Sequence, residues 1–245
     1  TIRRLVQQNH DVHVAYETSG NIAVGDEEGT RFMHFINGFY QLFADSKDSI
    51  ISNKYKEIKT FFAKKKESDF DTRDILTIKG LIRRGEARTA CTYNNIPLDH
   101  CHFLDLPFYE TGKIQKNPIS EADVEIVRNL LREVKPHQIF VAGDLADPHG
   151  THRVCTDAVF AAIDLEKEEG ANQIALDIAQ LIRDKQKAGR FCVLALAGGN
   201  SPRNVYADLV RMHQEEGLSF RNVVIFNLYE YYPLAPNAIN SNFNA

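Results

Sequence analysis

The run His137-Gln-Ile-Phe-Val-Ala142 leads directly into Gly143-Asp-Leu-Ala-Asp-Pro-His-Gly-Thr-His152, and the reading of that junction decides the fold. The short apolar run predicts a buried strand. Asp144, Asp147, His149 and His152 then fall at its carboxyl end, where open α/β sheets place their ligands. Pro148 and Gly150 bend the backbone among them. Two histidines three positions apart come to one side of a helical turn, and zinc accepts imidazole and carboxylate together. The same residues also fit a plain turn and helix start, with both imidazoles solvated.

Upstream, helical and extended patterns alternate. Thr1 to Gln8 reads as the end of a helix, and Asp11 to Tyr16 as a strand closed by Thr18-Ser-Gly-Asn21. From Arg31 to Phe43, Phe32, Phe35, Ile36, Phe39, Leu42 and Phe43 recur at helical spacing, which predicts a core or partner-facing stripe. A second amphipathic helix, Ser49 to Lys66, ends in three lysines that complement its carboxyl end and sit in water. Asp74 to Tyr93 predicts a helix with Arg83, Arg84, Glu86 and Arg88 close together. That cluster is either a solvated, paired face or a donor set within reach of the following strand, His100 to Asp105. Ser120 caps the next helix, with Asp123 in its first turn.

The charged segment Asp164-Leu-Glu-Lys-Glu-Glu-Gly170 reads as a boundary before a new helix, Ala171 to Lys187. A compact βαβ unit follows: strand Arg190 to Ala197, loop Gly198-Gly-Asn-Ser201, helix Pro202 to Glu216 and strand Asn222 to Leu228. With Ser201 as cap and Pro202 opening the helix, backbone amides at the loop can hold a phosphate; a tight turn without ligand fits as well. The expected fold class is therefore α/β, two Rossmann-like, mainly parallel, doubly wound units over residues 1–165 and 166–245.

Composition narrows the partners. A net charge of -4 over 245 residues gives no footprint for nucleic acid or an anionic membrane. No apolar run reaches the roughly 20 residues of a membrane span. Four cysteines without a Cys-x-x-Cys pair read as free thiols in a reducing compartment, and the expected location is the cytoplasm.

The block Ala142-Gly-Asp-Leu-Ala-Asp-Pro-His-Gly-Thr-His152 resembles the LmbE-like (PIG-L-type) zinc-dependent N-acetylglucosaminyl deacetylases, and the likeness spans residues 1–163. The resemblance implies Zn2+ held by His152, with His149 near the substrate stabilising the oxyanion. It implies a sugar contact from Arg83 or Arg84, with Arg84 in the candidate set, and Glu86 as a structural partner. The family's other ligands and its base come from a His-Pro-Asp-Asp motif, a sequence not found in this chain. Thr1 to Val6 looks like the helix after that motif, so the chain is expected to begin just downstream of it.

Leu196-Ala-Gly-Gly-Asn-Ser-Pro202, Gly217 to Val224 and Phe226-Asn-Leu-Tyr-Glu-Tyr-Tyr-Pro233 resemble the glucosamine-6-phosphate deaminase/isomerase family. That likeness implies a sugar-phosphate pocket at Gly198, Gly199, Asn200 and Ser201. Where the family has Asp-Glu-Tyr this chain has Tyr229-Glu230-Tyr231, which leaves Glu230 as the carboxylate to move the proton. Tyrosine, with a pKa near 10, is a poor base at neutral pH.

The combined expectation is an amino-sugar enzyme with an amino-sugar or sugar-phosphate substrate, acting as a homo-oligomer, with both units cut short at their outer edges and the chain catalytically incomplete. Related proteins carry these domains in the opposite order, so a seam between segments of a longer chain is expected near Asp164 to Glu168, with a permuted natural protein as the other reading. The alternative is a non-catalytic sugar-phosphate-binding or regulatory protein.

Overall fold

A computed structural model describes residues 2–43, 50–66, 68–113, 115–142 and 150–227 of the chain. Contacts divide the chain into two compact units, Thr1–Ala162 and Ile163–Ala245. The architecture is mixed, with long helices and short parallel strands, and among the described residues each sheet has two strands.

In the first unit, helix α1 (Ile2–Gln7) precedes strand β1 (Val14–Tyr16). Helices α2 (Asp26–Phe43), α3 (Ile50–Lys64) and α4 (Arg73–Tyr93) then lead to strand β2 (Cys101–Phe103). The strands pair in parallel, with Val14 opposite Cys101, Ala15 opposite His102 and Tyr16 opposite Phe103. Thr72 starts α4 by accepting a hydrogen bond from the Ile75 amide. Ile75, Lys79, Ile82, Ala87 and Cys91 form the buried stripe of that helix. Ile75 packs with Met33 of α2 and Ile58 of α3, while Cys91 meets Ile96 and Cys101 beneath the strands.

Helix α5 (Glu121–Val134) opens on the expected capping box, in which the Ser120 amide donates to Asp123 at 2.8 Å. The buried Asp123 carboxylate also accepts from the Phe108 amide at 2.9 Å, tying that loop to the helix start. Lys135, with φ 50°, ends the helix, and Pro136 follows.

The structure departs from the sequence-based expectation in several places. Residues 137–142, expected as a buried strand, join no ladder among the described residues, and Ile139 and Phe140 are 41% and 69% exposed. Apolar content alone cannot form a strand; its amides and carbonyls need a neighbouring strand to pair with. Of the two readings of the α2 stripe, core or partner-facing, the core one is set aside, because Phe35, Phe39, Leu42 and Phe43 are exposed and the buried positions are Gly29 and Met33. Lys65 does not sit in water. Its ammonium bridges Asp26 at 2.8 Å and Asp71 at 2.6 Å, beside Lys79, which reaches the same two carboxylates.

Helix α6 (Thr151–Lys187) runs unbroken through the expected boundary at Asp164 to Gly170. Glutamate, lysine and leucine favour helix, and a single glycine costs too little to break it. In the second unit β3 (Cys192–Leu196), α7 (Arg203–Glu216) and β4 (Val223–Asn227) form the expected parallel βαβ, with Cys192 opposite Val223. Ala171, Ala175, Ala179 and Ile182 of α6 close its core against Cys192, Val205, Leu209 and Met212.

Among the described residues, no helix is long and apolar enough to cross a membrane. The cysteines are free, and Cys91, Cys101 and Cys192 are buried.

Candidate active site

The carboxyl edge of the β1–β2 pair collects the polar groups of the first unit. Backbone pairing continues past the strands, since the Leu104 amide donates to the Tyr16 carbonyl at 2.9 Å and the Leu106 amide to the Glu17 carbonyl at 2.8 Å. Glu17 and Asp105 therefore emerge on adjacent segments. Asp105 holds φ at 46°, a left-handed conformation that aspartate tolerates better than most residues. Its carboxylate pairs with Arg84 of α4, whose guanidinium lies 5.0 Å from the Phe103 ring centre.

Gly20 belongs to the same edge. Its φ of 64° suits glycine, and an added Cβ would lie 3.3 Å from Nε of Arg83. Arg83 pairs with Glu86 at 2.5 Å, so Glu86 is a structural partner. A cleft of about 670 Å³ opens here, lined among others by Ser19, Asn21, Arg84, Asp105, Glu110 and Lys113. Glu110 accepts from Asn21 Nδ2 at 3.2 Å and from the Ser19 amide at 3.4 Å.

Helix α6 brings the next group. Cys155 hydrogen-bonds the Glu17 carboxyl, and Thr156 Oγ1 donates to the Ala142 carbonyl at 3.0 Å. His152 lies about one turn before these residues and is exposed, and among the described residues it does not gather with Glu17 and Asp105 into a metal-binding group. Burial raises the Glu17 carboxyl above its ordinary value, against the smaller lowering effect of the Cys155 bond. Burial and the Glu17 charge also push the Cys155 thiol up, which makes it a poor nucleophile. Among the described residues, Glu17 Oε2 and Asp105 Oδ1 are buried and have no hydrogen-bond partner.

At the opposite, amino edge, three imidazoles meet. His13 stacks on His100 with ring centres 3.9 Å apart, and its Nδ1 lies 2.9 Å from His102 Nε2. Asp11 Oδ1 is 3.7 Å from His13 Nε2 and 3.2 Å from His100 Nδ1. The donor atoms of Asp11, His13 and His100 all lie within 4.8 Å of one another. Burial first, and the neighbouring His13 second, lower the His102 pKa.

In the second unit, Gly198, Gly199, Asn200 and Ser201 form the loop between β3 and α7, and Gly199 has φ 91°. Pro202, not Ser201, occupies the cap position, and it supplies no side-chain bond. The Arg203 amide already donates to the Asn200 carbonyl at 3.3 Å, which occupies one of the expected anion donors. His149, Glu230 and the neighbouring Asp144, Asp147 and Tyr229 lie outside the described residues.

Sequence reasoning misses Glu17, Asp105 and Glu110. The available signal is position, since Glu17 and Asp105 follow the extended segments at their carboxyl ends. The amino-edge histidines carry no local signal, because the parallel register alone makes them neighbours.

A family model described as PIG-L: GlcNAc-PI de-N-acetylase matches residues 1–163. A putative glucosamine-6-phosphate deaminase-like protein of Bacteroides thetaiotaomicron is 82% identical over 171 residues, covering 70% of this chain and 26% of that protein. The glucosamine-6-phosphate deaminase of Bacillus velezensis is 49% identical over 74 residues, 30% of this chain and 29% of that enzyme. Glucosamine-6-phosphate deaminase 1 of Bacillus subtilis is 43% identical over 74 residues, with the same shares. The chain thus spans between a quarter and a third of the length of these relatives. No solved structure matches it.

Proposed function

Because the chain belongs to the PIG-L (GlcNAc-PI de-N-acetylase) family, we propose that the carboxyl edge of its first unit hydrolyses the N-acetyl group of an amino sugar. With its deaminase-like relatives, this makes it an enzyme-like protein of amino-sugar metabolism. The observation that supports the reading is the Cys155 to Glu17 hydrogen bond, which ties the helix carrying His152 to the segment after β1.

In chemical kind the His152 imidazole on α6 and the Asp105 carboxylate, which keeps a buried oxygen without a hydrogen-bond partner among the described residues, suit zinc, although no group of three donors converges at this edge among the described residues. His152 is the proposed ligand. A bound zinc ion supplies a Lewis acid and a water of lowered pKa. The chain's own residues do the rest. His149 donates to the amide oxygen as charge develops there. Arg84, held by Asp105 and Phe103, offers guanidinium donors to sugar hydroxyls in the cleft. Glu17, whose burial favours its protonated form, can pass a proton to the departing amine as the C–N bond breaks.

The test is acetate release from N-acetylated amino sugars. His152→Ala is expected to reduce it by more than the roughly 10- to 100-fold typical of a supporting residue. Unchanged release, or release indifferent to a chelator, would refute the reading.

A second reading concerns the βαβ unit. The Gly198 to Ser201 loop lies at the carboxyl end of β3, ahead of a helix amino terminus, an arrangement suited to a sugar phosphate. Glu230 is its proposed proton carrier if the unit is catalytic. Calorimetric binding of glucosamine 6-phosphate without ammonia release would identify it as a binding module.

A further inference from the structure

We propose that Asp11, His13 and His100 form a second cation site, for a borderline divalent ion such as zinc, at the amino edge of the β1–β2 pair. Parallel strands put this edge at the opposite end from Glu17 and Asp105, so the site is separate from the one proposed above.

The spacing of the donors is the first argument. A tetrahedral ion with ligand bonds of about 2.0 to 2.1 Å separates neighbouring donors by roughly 3.3 Å. Asp11 Oδ1 stands 3.2 Å from His100 Nδ1 and 3.7 Å from His13 Nε2. The second argument is an orphaned atom. His100 Nδ1 is buried and has no hydrogen-bond partner among the described residues; its approach to Asp11 meets the distance for an ion pair but not the geometry of a hydrogen bond. Leaving such a nitrogen unsatisfied is costly, and a cation would satisfy it.

The third argument is the outer partner. His13 faces Asp11 with Nε2 and reaches His102 with Nδ1 at 2.9 Å. When His13 Nδ1 carries the proton and donates to His102, Nε2 keeps its lone pair for a metal, the arrangement that orients ligating imidazoles. The Asp11 side chain is 77% exposed, so a fourth position opens to water. Stacked rings direct their lone pairs side by side, so binding tilts His13 and His100 toward the ion. The bound ion would fasten the segment before β1 to the start of β2.

Zinc titration of the 245-residue chain, followed by the imidazole resonances in NMR, tests this. Zinc is expected to shift the His13 and His100 signals, and cobalt to broaden them. Affinity at this site should fall at least about tenfold in His100→Gln and Asp11→Asn, and remain unchanged in His152→Ala. Asp11→Asn is the variant least exposed to misfolding, given how little of its side chain is buried. Signals from His13 and His100 that do not move at saturating zinc, or equal affinity in His100→Gln, would overturn the site. Either result leaves the carboxyl-edge proposal standing, since that one is read at His152.

Discussion

Glu17 shows how a single buried carboxyl sets a pH dependence. Burial raises its folded pKa above the ordinary value of 4.5, so the folded chain holds this proton more tightly than the unfolded chain. Its stabilising contribution is therefore complete below 4.5 and is lost as pH rises through the raised value. Asp26 runs the other way. Burial pushes its pKa up, but hydrogen bonds from Lys65 and Lys79 outweigh that and lower it, so its contribution is lost as pH falls. Glu17→Gln isolates the first effect, because the amide stays neutral at every pH. Urea melts between about pH 4 and about pH 7 should show the wild type losing stability relative to Glu17→Gln as pH rises. Parallel curves would refute the burial argument. His152 stands out in the sequence by its spacing but remains a proposed ligand, whereas Glu17 does not stand out at all, since nothing local distinguishes a buried glutamate from a solvated one.

At the scale of elements, α6 separates propensity from punctuation. The segment Asp164 to Gly170 offers charges and a glycine, which read as a break, yet the helix continues across it. Acidic and basic residues with straight side chains cost a helix little, and only Gly170 opposes it strongly. A Cβ at Gly170 would meet nothing within 4 Å, and its φ is not positive. Gly170→Ala should therefore stabilise the chain by about 0.5 to 1 kcal/mol, read as a higher denaturation midpoint. Destabilisation would mean that the backbone needs a glycine there after all. Residues 137–142 depart in the opposite direction: their apolar pattern is clear, but pairing depends on a neighbour that composition does not specify. The strands and helix of the βαβ unit are legible because they lie within one short stretch, while its cap is not, since Pro202 takes the place expected of Ser201.

Among the described residues, separate apolar clusters belong to each of the two units divided at Ala162 and Ile163. Ile75, Met33 and Ile58 serve the first unit, while Met212, Leu209, Ile182 and Cys192 serve the second. Mutations without shared neighbours act independently, so a defect in one cluster should stay within its own unit. Met212 is fully buried, and Met212→Ala should cost the second unit about 2 to 5 kcal/mol. Each 1.4 kcal/mol corresponds to about a tenfold change in an opening equilibrium. Hydrogen exchange should then accelerate by at least about tenfold at the amides of β3, α7 and β4, and stay unchanged along α4. Equal acceleration in both sets would mean that the chain opens as one cooperative body, and that the division at residue 162 carries no thermodynamic weight.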